Sequence, residues 1–200
     1  MQRRTYPLFG ATLLSALILV ACGTTSPSQS SKSTKPAQTT QPTPTTKPVG
    51  AIQLSSPVIT QAKIPARYSC DGANIAPPLQ WGPVPPGITE LVLFALDVQS
   101  NPPNIEWAMG GLKPTLHKLT AGALPSGAFL EQASDGKRHY SICPAKGKTG
   151  QYEFLVYALP IGLHASRNIT GFSLLHNLTA ATPEDRAPAE GGFNATYKRK

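Results

Sequence analysis

The sequence predicts a mainly β domain, and three observations carry that reading. Proline and glycine, 21 and 17 of 200 residues, recur through stretches such as 77–87 and 100–104, where they break helices and join short strands by turns. Two apolar runs of strand length, 90–98 and 152–159, are rich in Val, Phe, Tyr and Leu and read as central strands buried on both faces. A single segment, 170–181, has a helical repeat, with Phe172, Leu175, Leu178 and Ala181 three residues apart behind Thr170 as a capping residue.

In chain order, residues 1–21 read as an export signal. Arg3 and Arg4 supply its positive region, and 8–21 are uncharged and mostly apolar, a run shorter than the roughly 20 apolar residues of a membrane span. Leu19-Val20-Ala21-Cys22 resembles the lipobox of bacterial lipoproteins, in which the cysteine is acylated (palmitate among the chains) and becomes the first mature residue. The alternative is an ordinary secretory signal with Cys22 a bystander. Residues 22–50 then form a lipidated cysteine followed by a Ser/Thr/Pro-rich tether with almost nothing to bury. Such a tether reaches roughly 85 Å as polyproline helix and about 30 Å as a coil. With Cys22 acylated, Cys70 and Cys143 remain as a pair in an oxidising compartment and are expected to form a disulfide; the alternative is two separate buried thiols.

Residues 51–200 are the size of one domain. Outer strands are expected at 51–59 and 193–200, the latter alternating Phe193, Ala195 and Tyr197 with polar neighbours, and a third strand at 105–112. The formal charge of +8 is misleading as a clue to partners. Without Arg3, Arg4, Lys32, Lys35 and Lys47, 13 basic residues face 10 acidic ones, a net of +3. No basic stripe with interleaved aromatics is present, which excludes a nucleic-acid surface; a weak attraction to anionic lipid is the most this balance supports. Phosphate loops, Cys-x-x-Cys pairs, His-x-x-x-His helices and Gly-x-Ser-x-Gly elbows are missing, so no catalytic residue, metal or cofactor is assigned.

The stretch 64–87, with Ile-Pro, Tyr68, Cys70-Asp71-Gly72, Asn74, Pro77-Pro78-Leu79 and Trp81, resembles the bacterial, Raf-kinase-inhibitor-like branch of the phosphatidylethanolamine-binding protein family. The likeness continues through the strand ending in Asp97, Trp107, Cys143-Pro144-Ala145-Lys146-Gly147, the 152–159 run and Ala195–Arg199. It implies a β-sandwich of two antiparallel sheets with one or two small peripheral helices, and an anion pocket walled by Pro78 and Trp81. Both Trp81 and Trp107 read equally well as plain core aromatics.

Asp97 stands where the family places its pocket aspartate, but other positions depart from the pattern. Glu106 precedes Trp107 where a histidine is expected, the second expected histidine falls near Gly150, just before Tyr152, and Val98-Gln99-Ser100 replace the usual second acid and its proline. Two carboxylates in one cleft repel each other and phosphate alike, so the expected ligand shifts toward a neutral or amine-bearing small molecule or lipid headgroup held by Asp97, Glu106, Trp107, Pro78, Trp81 and Tyr152. Glu106 is alternatively expected to pair with Arg138, Lys146 or Lys148, and His139 to supply an imidazole. Asp97 reads equally as a residue that simply bonds backbone amides at a strand end. The leading expectation is a non-enzymatic, membrane-tethered binding module facing outward; the alternative is a protein-interaction module, an inhibitor of a kinase or secreted hydrolase in the cell envelope, acting through the 99–104 loop.

Overall fold

The computed structural model describes residues 52–161, 163–180 and 188–200; the expected signal, Cys22, the tether and Ala181 lie outside them. Its elements run β1 (Leu54–Ser55), a 3-10 turn at Ala66–Tyr68, β2 (Leu79–Trp81), β3 (Ile88–Asp97), β4 (Asn104–Leu112), β5 (Lys118–Leu119), β6 (Phe129–Leu130), β7 (Thr149–Pro160), α1 (Gly171–Ala180) and β8 (Ala189–Lys198). They build two sheets, three strands in the order β1-β2-β5 and five in the order β6-β4-β3-β7-β8, with every pairing antiparallel.

The pleat of the central strands sorts their side chains between two cores, because successive residues point to opposite faces. Leu91, Leu93 and Ala95 of β3 join Trp107, Met109, Tyr152, Phe154 and Val156, and meet Leu54, Leu79, Trp81 and Leu119 of the small sheet. Val92, Phe94 and Leu96 face the other way and pack with Ile105, Ala108, Tyr157 and Leu159 beneath Leu174 and Leu178 of α1. Burial on both faces is therefore why 91–96 is an unbroken apolar run: each of its six residues is at most 3% exposed.

The small sheet departs from expectation. The strand foreseen at 51–59 shrinks to Leu54–Ser55, because Pro57 has no N–H to give a ladder and the chain instead turns, with Lys63 N–H donating to Thr60 O at 2.9 Å. The strand foreseen at 193–200 begins earlier, at Ala189. Gly191 belongs in it because a Cβ there would collide with the Ile52 carbonyl, which runs against the strand's outer edge. The helix also buries a different stripe from the one read in the sequence. Gly171, Leu174 and Leu178 face the sheet, while Phe172 is 46% exposed; a strict three-residue spacing drifts off a face that repeats every 3.6 residues.

Cys70 and Cys143 form the expected disulfide, with their Cα atoms 5.2 Å apart. It fastens the segment after the 3-10 turn to the loop entering β7, alongside a hydrogen bond from Cys70 N–H to Ile142 O at 3.1 Å.

Candidate ligand cleft

The site predicted from sequence centres on the C-terminal end of β3. Register places Asp97 directly across from Asn104 on β4 and from Tyr152 on β7. Its carboxylate Oδ1 accepts the N–H of Gln99 at 2.9 Å, which closes the turn that ends the strand. The strand-end role is thus present, and Asp97 Oδ1 is engaged in it.

Glu106 owes its position to an irregularity. Ala95 pairs with Trp107 and the next residue, Leu96, pairs with Ile105, so Glu106 is the extra residue of a β-bulge. Bulges re-aim the side chains beside them. Here Ile105 and Trp107, two residues apart, point into different cores, as no regular strand permits. The Glu106 carboxyl is left mostly buried in the fields of Asp97 and Asp135, and is pushed up to about 7, first by its desolvation and then by those two acids.

Two phenols stand behind it. Burial raises the Tyr152 hydroxyl, and the charges of Asp97 and Glu106 add to this; Tyr140 is raised well above the usual tyrosine value by burial, then by Tyr152 and Glu106. Tyr140 donates to Tyr68 O at 2.9 Å and meets Trp107 edge to face, ring centroids 5.9 Å apart. Trp107 itself is 1% exposed and belongs to the main core. Gly150 completes the arrangement. A Cβ at this position would overlap the ring and hydroxyl of Tyr152, so the tyrosine lies folded over the glycine, in space that a histidine at 150 would need for itself.

A cavity of about 320 Å³ opens beside Glu106, lined by Asn104, Ser134, Asp135, His139, Ser141 and Cys143 among others. The loop carrying these residues is laced to β4: Ser134 Oγ accepts the Ile105 N–H at 2.7 Å, and Ser141 N–H donates to Glu106 O at 3.1 Å. His139 Nε2 lies 2.9 Å from Asp135 Oδ2. Asp135 is held below the usual carboxylate range, chiefly by the Lys137 N–H it accepts and further by His139. Glu106 forms no ion pair among the described residues; Arg138 is instead 3.3 Å from the fully buried Glu131.

The predicted residues therefore fall into two groups. Asp97, Glu106 and Tyr152 stand near one another at the ends of β3, β4 and β7, with Trp107 beside them in the main core; of these four, Glu106 lines the cavity. Pro78 and Trp81 lie by β2 in the opposite sheet, where Pro78 O accepts Ser56 Oγ at 2.7 Å and Trp81 packs in the main core, its buried Nε1 with no partner among the described residues. Asp135 was not foreseen, though its spacing of four from His139 carries a weak signal; Tyr140 and Ser141, which stand where the family pattern has glycines, join the site through the loop's path along β4. Among the described residues no group of His, Cys, Asp or Glu is arranged to hold a metal.

Two antiparallel sheets packed face to face, with a polar cleft at the ends of the central strands, define a β-sandwich domain. The family model for phosphatidylethanolamine-binding protein matches residues 54–191, and the chain belongs to that family. A Mycobacterium tuberculosis protein that carries the name "Putative lipoprotein LppC" is 33% identical over 173 residues, covering 82% of this chain and 85% of its own. Among solved structures, a phosphatidylethanolamine-binding protein homologue from Chlamydia trachomatis superposes with a TM-score of 0.63 at 28% identity, covering 76% of this chain and 99% of its own. Escherichia coli YbcL superposes equally, at 0.63 and 23% identity over 76% of this chain and 100% of its own, a likeness of fold.

Proposed function

We propose that this protein is a non-enzymatic, lipid-anchored binding module whose cleft takes a small cationic or neutral ligand, such as an amine-bearing headgroup, in place of a phosphate. The carrying observation is Glu106, turned by its bulge toward Asp97 and Asp135 with its carboxyl pushed up to about 7. Burial accounts for most of that rise, and the part added by Asp97 and Asp135 reflects a negative potential, which attracts cations and repels phosphate. The lipobox-like Cys22 supports anchoring through an acyl chain on the extracytoplasmic side, as does the lipoprotein name of the mycobacterial relative.

A thermal-shift comparison with inorganic phosphate, phosphoethanolamine and ethanolamine tests the reading. Ethanolamine is expected to raise the melting temperature, more at pH 8 than at pH 6, and Glu106→Gln to remove most of that rise. Stabilisation by inorganic phosphate that Glu106→Gln leaves intact would falsify the altered chemistry.

A further inference from the structure

Six cations from three separate stretches of sequence converge at one end of the sandwich. The β7–β8 register sets Thr149 opposite Lys198. Beyond that pair, Arg199 N–H donates to Lys148 O at 3.0 Å and Gly147 N–H to Arg199 O at 3.2 Å, so Lys146 and Lys148 stand beside Lys198, Arg199 and Lys200. On the outer edge of β8, Ile64 N–H donates to Thr196 O at 2.9 Å and Thr196 N–H to Ala62 O at 2.7 Å, which brings Lys63 to the same end.

The acid in contact with this group is Asp71, and it is already engaged. Its Oδ2 accepts the Tyr197 hydroxyl at 2.6 Å and the Lys200 N–H at 2.9 Å, and Arg199 Nε lies 3.7 Å from its Oδ1. Arg199 also donates to Pro144 O at 3.1 Å. Lys63, Lys146, Lys148, Lys198 and Lys200 are all exposed, and none forms an ion pair among the described residues. Five exposed, unpaired ammonium groups around a rim, with no exposed aromatic between them among the described residues for bases to stack on, match a plane of diffuse negative charge better than a nucleic-acid strand.

We propose that this basic end is a docking surface for the anionic headgroups of a lipid bilayer. The cleft lies close by: Tyr152, opposite Asp97, is three residues along β7 from Thr149, roughly 10 Å at strand rise. Docking therefore brings that end of the sheet, with Asp97 and Tyr152, up to the lipid surface, where headgroups are presented. The proposal rests on the anchored reading only for proximity to a membrane.

The test is hydrogen–deuterium exchange on the full chain bound to vesicles of phosphatidylcholine, alone or mixed with phosphatidylglycerol. Peptides covering 144–149 and 195–200 are expected to exchange more slowly on the mixed vesicles. That protection should vanish in about 1 M salt, where the Debye length is ~3 Å, and in the Lys146→Gln/Lys148→Gln/Lys198→Gln variant, whose exposed changes leave the cores untouched. Equal exchange on the two vesicle types, protection that persists in the variant, or protection by a soluble oligonucleotide and not by mixed vesicles would each overturn it. Sedimentation reports the anchor separately. A chain that sediments with mixed vesicles alone supports docking while removing the anchor, and one that sediments with both but shows no differential exchange does the reverse.

Discussion

At Glu106, burial and neighbouring charge act in the same direction, and the sign of the pH dependence follows. A carboxyl whose folded value stands above its unfolded one binds more protons in the folded state. Its stabilising contribution is fully present below about 4.5 and is lost as pH rises through about 7. Replacing it with a neutral isostere removes the loss. We expect Glu106→Gln to stabilise the protein by about 2 kcal/mol at pH 8, after allowance for solvent screening of a partly exposed group, and by nearly nothing at pH 4.5. Urea titrations at the two pH values check this, and an equal gain at both would remove the electrostatic explanation. The identities of Asp97 and Glu106 were legible as two acids near one strand end. Their proximity was not, because it depends on one extra residue in the register of β4, which no local pattern announces.

Among the elements, the long strands were readable and the short ones were not. β3, β4 and β7 are apolar over most of their length because they lie between two cores, so hydrophobicity alone marks them. β2, β5 and β6, at two or three residues each, are too short for a period and exist because larger neighbours hold them in place. The helix lies between these cases. Thr170 caps it as expected: its Oγ1 accepts the Ser173 N–H at 3.0 Å, satisfying one of the donors a helix start leaves open. Thr170→Ala should cost about 1 kcal/mol in chemical denaturation, and Thr170→Ser should restore most of it. A cost near zero would mean that the packing of Leu174 and Leu178 fixes the helix without help from the cap.

For the whole molecule, the disulfide joins positions 73 residues apart in sequence. In the chain-entropy account, closing a loop of that length restricts the unfolded chain by about 4 kcal/mol. Cys70→Ala/Cys143→Ala is therefore expected to lower the urea midpoint in buffer of any redox state, and wild-type protein to match it only after reduction. A variant as stable as the oxidised wild type would show that the two cores suffice. By itself the sequence determined the β class, the central strands, the cysteine pair and the family, because apolar runs, turn residues and a spaced motif are local properties of the chain. Only the tertiary structure decided that an acid from a bulge faces the strand-end aspartate, that Tyr152 lies over Gly150, and that lysines from three segments share one rim. The first and the third are set by strand register, where a shift of one residue moves every side chain to the opposite face, and the second by the packing that chooses the tyrosine's rotamer.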